Sequence, residues 1–185
     1  MNRQQLIENL ANYQCFDSKE EADRSTMLTF VNKYPRCFHR DLEIGHMTAS
    51  TWLLNAKRDK ALLMHHRKLD LWLQLGGHCD GDEDLLAVAV KEAQEESGIW
   101  AIKPLSDKIF DIDIHDIPAN SKEPAHKHYD VRFLLGLTEE LPFVQNSESL
   151  ALAWVTADSN SLPKIDRSVQ RLHQKWLSKW VENYL

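Results

Sequence analysis

Cysteine is scarce in this chain, and so are long apolar segments. The three cysteines, Cys15, Cys37 and Cys79, are odd in number and form no C-x-x-C pair, so we expect free thiols in a reducing cytosol rather than a disulfide framework. Apolar runs fall well short of the roughly 18 residues of a membrane span, and residues 1–14 lack the apolar core of a signal peptide. These features predict a soluble cytoplasmic protein without a membrane partner.

Positive charge is also in deficit. The chain has 22 Lys and Arg residues against 28 Asp and Glu residues, which gives a formal net charge of −6. An acidic balance argues against non-specific binding to nucleic acid or to an anionic membrane surface. A small phosphorylated substrate remains compatible with it, because local charge and bound metal decide that interaction.

The 185 residues, 43% of them hydrophobic, suffice for one domain with a sizeable core and a helical extension. Apolar spacing predicts helices at residues 3–13 and 18–33, with a capping box beginning at Ser18. Strands are predicted at the following residues: 48–55, 60–66, 71–74, 109–114, 128–137 and 151–155. A last helix at residues 167–184 presents an apolar side suited to core packing or to a homodimer contact.

The segment at residues 77–99, GHCDGDEDLLAVAVKEAQEESGI, carries the most informative pattern. Asp82 or Asp84 can cap a helix, and Gly98 stands where helices commonly end in a left-handed residue. The carboxylates at i, i+3 and i+4 of this helix are Glu92, Glu95 and Glu96. Such like charges repel by a few tenths of a kcal/mol per pair, and a hard divalent cation would offset that cost. The alternative interpretation is a solvated acidic helix face.

These residues resemble the signature of the Nudix hydrolase superfamily, G-x5-E-x7-R-E-U-x-E-E-x-G-U, in which U is bulky and apolar. The matching positions are Gly77, Glu83, Glu92, Glu95, Glu96, Gly98 and Ile99. Lys91 replaces the arginine of the family, and the small Ala93 stands where a bulkier residue is usual. The resemblance implies an α/β fold, a Nudix-like α/β/α sandwich around a mixed β-sheet. Residues 1–40 would form an N-terminal helical extension packed on a Nudix domain at residues 41–185.

The resemblance also implies an enzyme, a divalent-metal-dependent pyrophosphohydrolase that cleaves a nucleoside diphosphate linked to a moiety X. Its metal ligands would be Glu83, Glu92, Glu95 and Glu96. The catalytic proton acceptor would be one of the three helix glutamates or Glu148 in a later loop. Mg²⁺ suits an open carboxylate cluster shared with phosphate oxygens, and Mn²⁺ is an alternative. A catalytically weak or inactive nucleotide-binding module and an interaction protein with a structural cation remain alternative functions, and X is not identified.

Histidines supply a second set of candidates for substrate binding. His65, His66 and Arg67 bring positive charge near the acidic segment, and strand alternation places His126, His128 and Asp130 on one face. If the two strands pair, His115 meets this group. We consider three interpretations of the group: a hydrogen-bonded polar face, a substrate contact, or a second metal site.

Overall fold

A computed structural model of the protein describes residues 1–120, 123–147, 149–158 and 163–185, without the side chains of residues 179 and 180. The helices are α1 Arg3–Ala11, α2 Ser18–Lys33, α3 Leu85–Ser97 and α4 Arg167–Leu177, followed by a 3-10 helix over Lys179–Asn183. The strands are β1 Gly45–Leu54, β2 Lys60–His66, β3 Leu71–Leu73, β4 Leu75–His78, β5 Ile102–Pro104, β6 Asp111–Ile117, β7 His126–Leu137 and β8 Ser149–Thr156. Among the described helices, none has the length and apolar character that crossing a membrane requires.

The eight described strands form one mixed sheet. Its path is β3–β2–β1–β7–β5, with β4 beside β1, β6 beside β7, and β8 beside β2. β1 and β7 run parallel from the pair Gly45↔Lys127 to the pair Leu54↔Gly136, and the other strand pairs are antiparallel. Because β4 and β7 both pair with β1, the starts of β1 and β7 lie close to the end of β4.

Alternate residues of the sheet contribute to two apolar clusters on opposite faces, as the pleat requires. On β7, Val131 and Phe133 belong to the cluster that contains residues of α1, α2 and α3, whereas Leu134 packs with residues of α4. Helices therefore cover both faces of a mixed sheet, which confirms the predicted α/β/α sandwich.

A buried ionic cluster fastens α2 and α4 to β6. Lys175 Nζ lies 2.5 Å from Glu20 Oε1 and 2.9 Å from Asp111 Oδ2. Asp111 also accepts a hydrogen bond from Arg132 at 3.0 Å and two from Arg171 at 2.8 and 2.9 Å. All five side chains are buried. Lys175 of α4 thus lies between the Glu20 carboxylate of α2 and the Asp111 carboxylate of β6 and neutralises both.

Several local predictions differ from the structure. Asp17, rather than Ser18, caps α2. The helix predicted at residues 167–184 ends at Leu177, because Ser178 has an extended backbone and its hydroxyl bonds a carbonyl of the last turn. Strand β5 was not predicted, since three residues ending in a proline give no periodic signal.

The N-terminal helices pack directly on the sheet. Phe30 of α2 stacks on Tyr129 of β7, with ring centroids 3.8 Å apart and an interplanar angle of 4°. Leu6, Leu10 and Met27 belong to the same apolar cluster as the sheet residues beneath them. A continuous core joins the extension to the remainder of the chain, and the division between residues 40 and 41 stays a prediction.

Candidate active site

Helix α3 lies where the sequence predicts it, and strand β4 precedes it at Leu75–His78. The Asp84 carboxylate accepts a hydrogen bond from the Ala87 N–H at 3.3 Å, so Asp84, of the two predicted candidates, caps the helix. The helix ends at Gly98, whose φ of 69° lies in the left-handed region that glycine adopts without strain. Both ends of the carboxylate-bearing helix are therefore fixed by local chemistry.

Two of the predicted carboxylates contact the paired glycines of β4. The Gly76 N–H donates to Glu96 Oε2 at 2.8 Å, and Glu96 is only 6% exposed. A β-carbon on Gly77 would overlap the Glu92 carboxylate. The absence of a side chain at Gly77 thus lets α3 approach the strand closely and places Glu92 and Glu96 beside adjacent backbone units.

Glu95 lies on the solvent side of the same helix. Its side chain is 52% exposed, and Lys91 Nζ is 3.9 Å from its Oε2. The same ammonium group lies 3.5 Å from Glu92 Oε1. Lys91 therefore spans the two carboxylates as a single point charge, without the two-pronged contact that an arginine makes.

Glu83 occupies a different position from the other candidates. It is exposed, and its Oε2 accepts the N–H of Arg3 at 2.9 Å, at the first turn of α1. An anionic side chain is favourable at a helix N-terminus. The Arg3 guanidinium in turn donates to the Val31 and Asn32 carbonyls at the end of α2. Glu83 thus connects the candidate metal loop to the N-terminal helices, and its role as a metal ligand stays a prediction.

The donor set of α3 suits a hard divalent cation. Three carboxylates on one helix supply the oxygen ligands that Mg²⁺ prefers. Because Gly77 has no side chain, the Glu92 carboxylate can contact the strand. Glu95 is exposed, so the cluster is open to a ligand from solvent. Glu148, the fourth catalytic candidate, lies outside the described residues.

The three candidates at the end of β2 have contacts within the protein. His65 donates to Asp70 at 2.8 Å and stacks on Trp72, whereas His66 Nδ1 accepts backbone N–H groups of the turn that follows. The Arg67 guanidinium donates to the carbonyls of residues 147 and 149 at 3.0 and 3.1 Å. Arg67 therefore holds the loop before β8, and substrate contact by these residues stays a prediction.

The structure brings together the histidines of β6 and β7, because the two strands pair, which was the condition set by the sequence analysis. β6 and β7 pair antiparallel with His115 opposite His128. His126 Nε2 lies 3.4 Å from His128 Nε2. Asp130 is on the same face but is 1% exposed and accepts hydrogen bonds from Thr48, Ser50, Gln74 and Arg132. That placement argues against direct substrate contact by Asp130, because its oxygens already bind the surrounding strands.

Two further histidines join this group, and sequence reasoning did not connect them to it. His46 lies directly opposite His128 on β1, and His78 ends β4. Burial lowers the pKa of His46 to about 4, with His78 and His126 acting in the same direction. Burial and the neighbouring His115 and His78 lower the pKa of His128 to about 2, and burial also lowers the pKa of His78. These imidazoles are therefore neutral at pH 7.

Comparison with known proteins gives the family. The NUDIX domain family matches residues 45–177, which is more than half of the chain. The chain therefore belongs to the NUDIX domain family. The match includes β4, α3 and the carboxylate cluster. The similarity to the family therefore extends beyond the short signature and covers most of the fold.

Individual relatives agree with this assignment. A protein of Lactococcus lactis subsp. cremoris named "Probable DHNTP pyrophosphohydrolase" is 37% identical over 95 residues, which cover 47% of this chain and 56% of that protein. The crystal structure of a NUDIX family hydrolase from Clostridium perfringens is 24% identical, has a TM-score of 0.55, and covers 71% of this chain and 95% of its own. The structure of a UDP-X diphosphatase is 14% identical, has a TM-score of 0.52, and covers 99% of this chain and 93% of its own. The two structures show the fold, and the second match includes the N-terminal helices.

Proposed function

We propose that the protein is a divalent-metal-dependent pyrophosphohydrolase that cleaves the phosphoric anhydride of a small nucleotide-like substrate. The observation that carries the proposal is the position of Glu92, Glu95 and Glu96 on a capped helix, packed against the glycine pair at residues 76–77. Family membership supports it, and the relatives described above are named as hydrolases or pyrophosphohydrolases.

Each residue of the cluster has a distinct task in this proposal. Glu92, Glu95 and Glu96 would hold the cation, with Glu83 in a peripheral position. A bound Mg²⁺ would neutralise phosphate charge and lower the pKa of a coordinated water. The Gly76 N–H fixes the Glu96 carboxylate, and Lys91 limits repulsion between Glu92 and Glu95. One of the helix carboxylates or Glu148 would accept the proton of the attacking water.

The substrate class is a nucleoside diphosphate linked to a second group X, or a related triphosphate. The Lactococcus lactis relative is named for dihydroneopterin triphosphate, and the structural relative is named for UDP-X. Both compounds contain the anhydride on which the carboxylate site would act. His65, His66, Arg67, His126 and His128 remain candidates for contact with the group beyond the phosphates.

The proposal also includes the metal ion, the oligomeric state and the cellular compartment. Mg²⁺ is the proposed ion, with Mn²⁺ as the alternative, and a homodimer in the cytoplasm is the proposed state. Cys37 and Cys79 are buried free thiols, and burial raises the pKa of Cys37 to about 11, which suits inert cysteines in a reducing compartment. Light scattering of the purified chain measures the oligomeric state directly.

A substrate panel with one matched pair of variants tests the activity. The panel contains dihydroneopterin triphosphate, UDP-sugars and dinucleoside polyphosphates, assayed for phosphate-containing products with Mg²⁺ and then Mn²⁺. Glu96→Gln keeps an acceptor for the Gly76 N–H and removes the charge, so we expect turnover to fall about 100-fold or more without loss of fold. Glu21→Gln, on exposed α2 surface, is the control. Native turnover by the Glu96 variant would contradict the site, and nucleotide binding without turnover by the wild type would favour the inactive-module alternative.

A further inference from the structure

We propose that His46, His78 and His128 form a binding site for a first-row transition-metal ion of the Zn²⁺ type, separate from the carboxylate cluster. One ring nitrogen of each histidine lies within 4.8 Å of the corresponding atoms of the other two. The ring centroids are 4.8 to 5.1 Å apart. Three imidazoles that converge in this way match the ligand number of zinc sites that keep a fourth position open.

The backbone holds the three rings on neighbouring strands. His46 of β1 and His128 of β7 are directly paired in the parallel register, and His78 of β4 pairs with Thr48, two residues after His46. Side chains two residues apart on a strand share a face. The three histidines thus come from three adjacent strands of one sheet, and their convergence does not depend on a loop.

His46 provides an independent indication of a ligand. It is 3% exposed, and neither of its ring nitrogens has a hydrogen-bond partner among the described residues. Buried polar groups in folded proteins are nearly always satisfied by a partner, an ordered water or an ion. A cation shared with His78 and His128 would satisfy one nitrogen of His46 and use its neutral form as a ligand.

The surrounding groups suit a bound metal as well. His126 Nδ1 donates to the Pro124 carbonyl at 2.8 Å, which leaves the lone pair of the neutral ring on Nε2, 3.4 Å from His128 Nε2. Two nitrogens bound to one tetrahedral zinc at ordinary bond lengths are about 3.3–3.4 Å apart. His126 therefore lies at the edge of the histidine group, and it also lines a surface cavity together with Ile44 and Lys127.

Metal chemistry separates this site from the one on α3. Imidazole ligands favour Zn²⁺, Cu²⁺, Ni²⁺ and Fe²⁺, whereas carboxylates favour Mg²⁺. The two sites also lie on opposite faces of β4, since Gly77 faces Glu92 and the next residue, His78, points to the other side. An ion on the histidines would fasten the end of β4 to β1 and β7, next to the glycines that support Glu92 and Glu96.

Metal titration of the full chain tests the proposal without reference to activity. The protein, free of any histidine tag and stripped with a chelator, is titrated with Co²⁺ in excess Mg²⁺, and Zn²⁺ is then added as a competitor. We expect one Co²⁺ per chain with the visible absorption of a tetrahedral, nitrogen-ligated ion, and its displacement by Zn²⁺. His78→Asn and His128→Asn should each weaken binding about 100-fold or more, because each removes a ligand.

Matched variants keep the test decisive. His65→Asn removes a histidine of the same sheet that bonds Asp70 instead, and Glu95→Gln alters the carboxylate cluster. Both should bind Co²⁺ as the wild type does. Circular dichroism checks the fold of each variant, and His78, which is less buried than His46, is the ligand position best suited to substitution. A wild type without the absorption band, or a folded His78→Asn variant that binds like the wild type, would overturn the proposal.

Discussion

Replacing Lys175 by methionine removes a cation from the buried ionic cluster while keeping most of the apolar length of the side chain. Lys175 is 0% exposed, and its ammonium group lies 2.5 Å from Glu20 and 2.9 Å from Asp111. It also donates to the Tyr13 hydroxyl at 2.8 Å and to the Phe110 carbonyl at 3.0 Å. The substitution therefore leaves the two buried carboxylates facing each other without this ammonium group, and it removes the donor to the Tyr13 hydroxyl and one of the two donors to the Phe110 carbonyl.

The expected loss follows from removing one partner of a buried ion pair. Such a change costs about 3–5 kcal/mol of unfolding free energy, because the Glu20 carboxylate stays buried without its nearest cation. For a chain of this size, about 2–4 °C of melting temperature corresponds to each kcal/mol, so we expect a fall of about 6–20 °C. Burial and Asp111 raise the pKa of Glu20 while Lys175 opposes them. Proton uptake by Glu20 would therefore limit the loss in the variant.

Urea denaturation and thermal melting at pH 7, followed by circular dichroism, measure this loss. Lys19→Met is the control, because the ammonium group of Lys19 is half exposed and pairs with Asp23, and such pairs contribute less than about 1 kcal/mol. Adding Glu20→Gln to Lys175→Met should recover part of the stability, since it removes the uncompensated charge. A Lys175→Met variant no less stable than Lys19→Met would refute the reasoning.

The remaining predictions concern the carboxylate helix and acid stability. Gly77→Ala should displace the Glu92 carboxylate and weaken Mg²⁺ binding at least tenfold by calorimetry, with little change in melting temperature; unchanged binding would show that Glu92 is not a ligand. Lys91→Arg should raise kcat several-fold, because a planar guanidinium can hold the carboxylates of Glu92 and Glu95 together, and an unaltered kcat would contradict this. Burial acts to raise the pKa of Asp111, but Lys175 and the two arginines outweigh it and hold that pKa well below its usual range. The unfolded chain therefore binds more protons in acid, and the urea midpoint should fall as pH drops below about 4; a midpoint independent of pH between 2.5 and 6 would contradict the role of Asp111.

The parts of the fold that could be predicted are those encoded locally. The bounds of β2 match the prediction, and α3 could be placed because Asp84 and Gly98 mark its ends and its apolar side has helical spacing. The positions of Glu92 and Glu96 follow from that helix. The contact between Glu92 and Gly77 could not be predicted without knowing how the helix packs on the strand. Gly77 itself belongs to the Nudix signature in the sequence.

The parts that could not be predicted depend on strand order and on burial of charge. His46 and His78 are far apart in sequence and converge only because β4 and β7 both pair with β1. The burial of Arg171 and Lys175 of α4 was not predicted, since arginine and lysine are seldom fully buried unless paired. The available signal was the i, i+4 spacing of Arg171 and Lys175 together with the alternating acidic residues of β6, and this signal becomes informative once α4 is known to contact that strand.

Removal of residues 1–40 should prevent the remaining chain from folding on its own, even though the family match begins at residue 45. The deletion takes away Glu20 and so leaves the buried Lys175 without one of its two carboxylate partners. It also exposes the ring of Tyr129, which Phe30 covers, and the apolar surface beneath α1 and α2. We expect the 41–185 fragment to show no cooperative thermal transition and to bind a hydrophobic dye, with the full chain as the control. A fragment that melts cooperatively close to the full chain would show instead that the extension is a dispensable addition, because the core beneath it would then be sufficient without Glu20 and Phe30.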